Sequence, residues 1–282
     1  MSKNFILKLK MKNKLILNFL MGILLTFVLS ITSCQSNNTI PDTQNTPNTL
    51  VATEPSSLTV SAAISLKDAL EEIKPLYQKE KPQVEITYNF GSSGSLWQQI
   101  EQGAPVDLFI SAANKQIDDL ESKQKLLTDS RKILVTNQLV LITNKNQNNV
   151  NKFEDLTKAE ITKIVLGEPK SVPAGKYGEE VLKYYKILDQ VKSKIIYGKD
   201  VRQILTYVET ENVNAGLVYI TDAKTSEKVR IAMTAPQDSH SKIVYPIAIL
   251  KDSKNPDIAK TFEDFLLSNT SKTIFEKYGF GT

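Results

Sequence analysis

Residues 58–76 read LTVSAAISLKDALEEIKPL, and the switch of hydrophobic period inside that stretch decides the class of fold. Leu58-Thr59-Val60-Ser61-Ala62-Ala63 is short, apolar and rich in strand formers. Leu66, Ala69, Leu70, Ile73 and Leu76 then recur at helical spacing. A strand that turns within three residues into an amphipathic helix is the repeating unit of α/β proteins. The unit recurs downstream. Val84-Glu85-Ile86-Thr87-Tyr88 alternates like a strand, and Leu96 to Gln102 resumes a helix. Val106-Asp107-Leu108-Phe109-Ile110 is a third strand, with a helix through Ile117 and Leu120. A βαβαβα order predicts parallel strands joined by right-handed crossovers. Pro75 lies within the first helix and is expected to end or kink it.

A second set follows. Ile164-Val165-Leu166, a helix from about Lys176, Ile195-Ile196-Tyr197, a helix from about Val201, and Ala215-Gly216-Leu217-Val218-Tyr219 repeat the pattern. It lies between the two most apolar runs, Leu139–Thr143 and Val244–Leu250. A unit inserted between two such runs predicts an α/β protein of two lobes linked by two hinge strands. The lobes are residues 58–139 plus 246–282 and residues 140–245. Ligand clefts form preferentially between such lobes.

The N-terminal end assigns the compartment. Lys3, Lys8, Lys10, Lys12 and Lys14 precede an apolar run from Leu15 to Ile31, with no acidic residue in the segment. A basic stretch, an apolar core and small residues before a break describe a secretory signal, assigned to residues 1–33. Met11 opens a second, more ordinary signal start. The apolar run is short for a spanning helix, which needs about 20 residues. The 34–57 stretch of Asn, Thr, Pro, Gln and Ser cannot bury enough apolar surface to offset its ordering entropy, and reads as a tether. The chain carries 35 basic and 31 acidic residues, formally +4. The signal holds five of the lysines, so the remainder stands at 30 against 31, or −1. No basic patch argues for nucleic acid. The single cysteine, Cys34, excludes a disulfide framework and a multi-cysteine metal site.

Four places share one grammar in which a strand ends, a small or polar turn follows, and a helix begins. They are Ala62–Asp68 with Ser65 as the N-cap candidate, Phe90–Leu96, Ser171–Lys176 and Gly198–Arg202. Helix starts carry amides without an intrahelical partner and the positive end of the dipole. Two such starts per lobe facing a cleft would hold an anion without a formal cation. Gly91, Gly94 and Gly175 would let backbone approach a ligand closely. Singly, however, an N-cap serine is ordinary capping, and Gly-Ser-Ser-Gly-Ser is ordinarily a flexible turn. These residues alone lead to a secreted two-lobed α/β binder.

The ordered set of segments resembles the molybdate-binding proteins of ABC importers, within the type II periplasmic-binding fold. The matching runs are Ala63–Leu66, Phe90–Leu96, Gly103–Ala112, Val172–Gly175, Asp200–Arg202, Gly216–Ala223, Asp238–His240, Val244–Ala248 and Lys277–Phe280. Ile31-Thr32-Ser33-Cys34 likewise resembles a bacterial lipobox, with Cys34 as the acylated residue. The resemblance implies that Ser65 and Ser93 each offer a hydroxyl and an amide, that Ala174 and Val201 offer amides, and that Tyr219 offers its phenol. The sequence departs from the family's pattern at Gly91 and Gly94, where Ala or Ser is common. It further implies a monomeric, non-enzymatic receptor without a cofactor, lipid-anchored outside the cytoplasm, that passes molybdate or tungstate to a membrane permease. The metal would enter only as the oxyanion, with no direct cation ligand.

Molybdate brings four acceptor oxygens and no proton, so a cavity of donors satisfies it. Monohydrogen phosphate would leave its proton unpaired, at about 1–3 kcal/mol. Sulfate is smaller, and tungstate nearly identical in size. Other outcomes stay open at this point. One is a binder of another anion, such as sulfate, phosphate, phosphonate or an organic acid; an acceptor carboxylate in the cleft, Asp200 being the candidate, would favour phosphate. His240, the only histidine, could serve Ser65 or Ser93 in a hydrolase. Its place near the second hinge run reads more simply as a surface turn. A scaffold or adhesion protein would leave the cleft without a ligand. Arg202 reads as a solvated or bridged helix residue, and Trp97 as packing.

Overall fold

The computed structural model describes residues 56–282. The signal segment, Cys34 and all but the last two residues of the 34–57 tether lie outside the described residues. The first strand, β1, begins at Ser56 and runs to Ala63, so the tether's last two residues are paired backbone. It is followed by helix α1 (Lys67–Glu80), β2 (Val84–Gly91), α2 (Ser93–Glu101), β3 (Leu108–Ile110), α3 (Asn114–Ser122) and β4 (Lys132–Thr136). After β5 (Leu139–Asn144) come β6 (Ile164–Gly167), α4 (Pro173–Tyr184), α5 (Leu188–Val191), β7 (Ile195–Gly198), α6 (Val201–Glu209), β8 (Ala215–Tyr219), α7 (Ile220–Ala223) and β9 (Val229–Thr234). The chain closes with β10 (Val244–Ile249), α8 (Pro256–Leu266) and α9 (Asn269–Tyr278).

Two five-stranded mixed sheets result. The first has the order β2-β1-β3-β10-β4 and the second β7-β6-β8-β5-β9. In the first, β1 pairs parallel with β2 and β3, while β10 is antiparallel to β3 and β4. In the second, β6 pairs parallel with β7 and β8, and β5 is antiparallel to β8 and β9. The architecture is the two-lobed α/β arrangement of periplasmic-binding-protein-like folds. Every residue of β5 and β10 is buried, which explains their uninterrupted apolarity, since each is an inner strand covered on both faces. Pro246 is tolerated inside β10 because it sits where the register with β4 shifts, so its missing N–H leaves no ladder partner stranded.

Strands β4 and β9 have no counterpart in the sequence reading. Both are outer strands with partly exposed residues, Ile133 and Ile231 among them, and their short patterns lack a clear period. Pro75 also behaves differently from expectation, because α1 runs through it to Glu80. Its side chain lies on the exposed face, where water can satisfy the carbonyl one turn earlier that the proline ring leaves without a donor.

The chain passes from the first sheet to the second between Thr136 and Leu139, and returns between Thr234 and Val244. The two passages are joined to each other, for the Asn137 N–H donates to the Ile243 carbonyl at 3.3 Å. Ile220 N–H also donates to the Gln138 carbonyl at 2.9 Å. The first sheet is covered on one side by α1, α8 and α9. On the other, α2 and α3 enclose a separate apolar cluster containing Leu96, Ile100, Phe109, Ile117 and Leu120. In the second lobe α4 and α6 pack on the sheet and present their N-termini where its parallel strands end.

Candidate functional site

All five residues expected to hold a ligand line one cavity between the lobes. Ser65 and Ser93 come from the first lobe, and Ala174, Val201 and Tyr219 from the second. The cavity spans about 220 Å³ of atom-free space, counted together with the solvent at its mouth, and no charged side chain lines it. A larger open groove of about 1140 Å³, bordered by Asp68, Arg202, Lys224 and Lys277, runs nearby. It mixes both signs of charge around solvent-facing side chains and has no comparable convergence of buried donors. The small cavity is therefore the better site.

Ser65 lies in a single 3-10 turn, Ile64–Leu66, that links β1 to α1. It was expected to cap a helix, yet no side chain caps either the turn or α1. Its hydroxyl instead meets the Tyr245 hydroxyl at 2.8 Å. Tyr245 also accepts from the Asn137 side-chain amide at 3.1 Å, and the same amide reaches Thr221 Oγ1 at 3.0 Å. Because Asn137 donates to Tyr245, the phenol hydrogen is free to point to Ser65, and the Ser65 hydrogen is free to point onward into the cavity. Tyr245 and Asn137 were not identified from sequence. They lie 180 and 72 residues from Ser65; Tyr245 falls within the matched run Val244–Ala248, but nothing local ties either residue to Ser65.

Ser93 opens α2 and is buried. Its Oγ accepts the Ala112 N–H at 2.8 Å, which again leaves the hydroxyl hydrogen for a guest. The true N-cap of α2 is Ser92, whose Oγ accepts from Ser95 N–H at 3.4 Å. Of the remaining first-turn amides, Gly94 donates across to the Ser171 carbonyl in the second lobe at 2.9 Å. The Ser93 amide is then the early donor of α2 best placed for a ligand.

Ala174 is the second residue of α4, behind Pro173, where a missing N–H costs nothing. Val201 is the first residue of α6, whose cap is Asp200. The Asp200 carboxylate accepts from Gln203 N–H at 2.8 Å and does not line the cavity. The acceptor that would favour a protonated phosphate is thus committed elsewhere. The glycines divide by role. A Cβ on Gly175 would fall 2.0 Å from the Gly167 carbonyl oxygen, and one on Gly94 2.5 Å from that of Ser171. Both serve chain-to-chain approach, whereas Gly91 lines the cavity.

Tyr219 ends β8 and is 1 % exposed. Its hydroxyl has no hydrogen-bond partner among the described residues. Buried phenols are ordinarily paired, and the Tyr245 hydroxyl, its polar neighbour, makes no well-formed bond to it, so this donor is available to a guest. Burial first, then the neighbouring Tyr245, Tyr177 and Asp222, push its pKa well above the ordinary value. It therefore stays protonated and can donate. Arg202 does not enter the cavity. It bridges Asp68 of the first lobe at 2.5 Å and Asp222 of the second at 3.1 Å. Burial raises the Asp222 carboxyl to about 7 against the pull of Arg202. His240 bonds the neighbouring Ser241 carbonyl at 2.8 Å and is not a cavity residue. Trp97 packs beside the second apolar cluster, flanked by Lys115 and Lys123.

The family of bacterial extracellular solute-binding proteins matches residues 58–281. The Bacillus subtilis protein YvgL, named as an ABC transporter substrate-binding lipoprotein, is 47% identical over 260 residues, covering 91% of this chain and 95% of YvgL. The molybdate-binding protein ModA of Haemophilus influenzae is 38% identical over 227 residues, covering 79% of this chain and 89% of ModA. Among solved structures, a substrate-binding domain assigned to a molybdenum ABC transporter of Clostridium difficile superposes with a TM-score of 0.65 at 44% identity. That match covers 80% of this chain and 99% of the domain.

Proposed function

The chain belongs to the bacterial extracellular solute-binding proteins, and we propose that it captures molybdate or tungstate between its lobes and delivers the anion to an ABC importer. It is homologous to molybdate-binding ModA proteins. The observation that carries the reading is the cavity itself. Five residues on separate segments of two lobes line it, and the hydroxyls of Ser65, Ser93 and Tyr219 have hydrogens to give. Ser65, Ser93 and Tyr219 would donate hydroxyl hydrogens, and Ser65, Ser93, Ala174 and Val201 would add amides at or next to helix N-termini. Aligned dipoles would balance the dianion in place of formal cations.

The chemistry of the donors sets the selectivity. Molybdate and tungstate bring only acceptors. Monohydrogen phosphate would bring a proton with no acceptor facing it, because the Asp200 carboxylate caps α6, at a cost of about 1–3 kcal/mol. Sulfate would be too small for every donor to reach it at about 2.9 Å. The His240 ring bonds the Ser241 carbonyl and does not line the cavity, which supports a receptor that performs no chemistry on its ligand. Residues 58–139 with 246–282 would move against residues 140–245. The membership of the strands in the two sheets supports that division. The protein would act as a monomer held at the membrane by acylated Cys34, a reading supported by its signal-like sequence and by the lipoprotein name of YvgL.

Melting the purified protein with molybdate, tungstate, sulfate or phosphate at equal concentration tests the proposal. A ligand that binds only the native state raises the midpoint in proportion to its affinity. Molybdate and tungstate should raise it most. A rise with phosphate and none with molybdate would reject the assignment.

A further inference from the structure

A hydroxyl accepts as readily as it donates, so a cavity lined by hydroxyls does not by itself refuse an anion that carries a proton. Refusal requires that the hydroxyls be kept from turning round. Ser65, Ser92, Ser93 and Tyr219 are the polar side chains of the lining. Ser92 is engaged by Ser95, accepting its N–H at 3.4 Å and donating to its Oγ at 2.8 Å. Ser93 Oγ accepts the Ala112 N–H at 2.8 Å, from a group that can only donate, so the Ser93 hydrogen must point elsewhere. For Ser65 the corresponding donor is a side chain one step removed. Its Oγ meets the Tyr245 hydroxyl at 2.8 Å, and that hydroxyl accepts from Asn137 Nδ2 at 3.1 Å. The Asn137 amide is held this way round, because its Oδ1 accepts the Gln138 N–H at 2.8 Å and its Nδ2 also donates to Thr221 Oγ1 at 3.0 Å. Tyr219 is held by the same amide. The Tyr245 oxygen is its polar neighbour, and there the Asn137 hydrogen already occupies the lone pair to which the Tyr219 hydrogen could retreat.

We propose that Asn137, which does not line the cavity, is a specificity-determining positioning residue: by donating to Tyr245 it fixes Ser65 and Tyr219 as donors and so excludes anions that carry a proton. The inference deepens the oxyanion reading and rests on it. With a donor-only group at its head, the relay runs from Asn137 through Tyr245 to Ser65, and the last hydrogen faces a guest that has only acceptors. With an acceptor at its head, the relay reverses. The phenol then donates to residue 137, Ser65 or Tyr219 donates to the phenol oxygen, and a lone pair faces the guest instead. The lining residues are the same in both polarities, so the preference is set from behind them. The lock on Ser93 is a backbone amide that substitution cannot remove, whereas the lock on Ser65 and Tyr219 is a side chain that it can.

The test compares wild type with Asn137→Asp, which supplies the acceptor, and Tyr245→Phe, which cuts the relay without adding charge. The probes are selenate and hydrogen arsenate. In mildly alkaline buffer both are tetrahedral dianions of nearly the same size, and they differ by one proton. The charge that Asn137→Asp adds opposes both alike and cancels in the ratio of their affinities. Each affinity is measured by displacement of bound molybdate in titration calorimetry. Wild type should prefer selenate by about tenfold or more, the cost of one proton left without an acceptor. That preference should shrink about tenfold in Asn137→Asp and about threefold in Tyr245→Phe. A merely structural role would weaken both anions together and leave the ratio unmoved. A ratio within twofold of wild type in either folded variant would overturn the inference, as would wild type that holds molybdate without preferring selenate to hydrogen arsenate. Failure of both variants to fold would overturn it too, since the relay would then serve the fold. Wild type that binds neither molybdate nor tungstate would reject the oxyanion reading and this inference together, whereas the other adverse results reject this inference alone.

Discussion

Replacing Tyr219 with Phe should move stability and affinity in opposite directions. The phenol is 1 % exposed and its hydroxyl has no partner among the described residues. A buried, unpaired hydroxyl costs a protein about 1–3 kcal/mol. Phe removes that cost while keeping the ring, which sits edge-on to Tyr245 at 5.9 Å. Taking about 1 kcal/mol as the gain, the unliganded variant should melt about 2–4 °C higher, the usual response for a chain of this size. When ligand is present the sign reverses. A hydrogen bond to a charged group contributes about 1.5–3 kcal/mol, so its loss should weaken molybdate binding by about 10- to 150-fold. Scanning calorimetry without ligand gives the first number and titration calorimetry the second. A variant that melts lower while binding molybdate as tightly as wild type would refute the reasoning. The hydroxyl would then be holding the fold together and not receiving a guest.

Other consequences can be checked alongside. Asp68→Ala removes the ion pair that Arg202 makes across the lobes; as a partly exposed pair it should be worth about 0.2–1 kcal/mol. Anion release should therefore quicken about 1.5- to 5-fold at low salt, with the difference shrinking at high salt; a difference independent of salt would point to another cause. The Asp222 carboxyl, raised to about 7 by burial, binds its proton more tightly when folded than when unfolded. That contribution to stability is full below the unfolded value near 3.8 and is lost as pH rises to about 7. Asp222→Asn should flatten this part of the stability profile between about pH 4 and pH 7, as followed by urea unfolding; an unchanged slope would rule out Asp222 as its source. His240→Ala should leave molybdate affinity unchanged by titration calorimetry, because its ring bonds a neighbouring carbonyl outside the cavity. A substantial loss would bring the histidine back into the site.

Features carried by local pattern were legible in the sequence. The runs that became β5 and β10 stand out because inner strands must be apolar on both faces, and the helix starts stand out because Ser, Asp and Pro have few other reasons to cluster there. Strands β4 and β9 were hidden, since outer strands need satisfy only one buried face and resemble loops. The site split along the same line. Ser65, Ser93, Ala174, Val201 and Tyr219 sit in short motifs that can be matched one by one, and all five line a common cavity. The parts that make the motifs work come from far along the chain. Tyr245 steers Ser65 from 180 residues away. The tight fit of Gly94 depends on Ser171, and Arg202 is tied to Asp68 across 134 residues. No local spacing encodes such pairings, because they exist only once the second lobe faces the first.

Asn137 occupies the two-residue link through which the chain first leaves one lobe for the other, and its side chain supports the phenol that in turn orients Ser65. The joint and the grip therefore share an amide. Rotation about that link as the lobes part would pull the amide off Tyr245, freeing the phenol to turn and the serine hydrogen to wander. Aperture and affinity would then change in a single motion, and a transporter that merely pries the lobes apart would loosen its cargo without having to touch it.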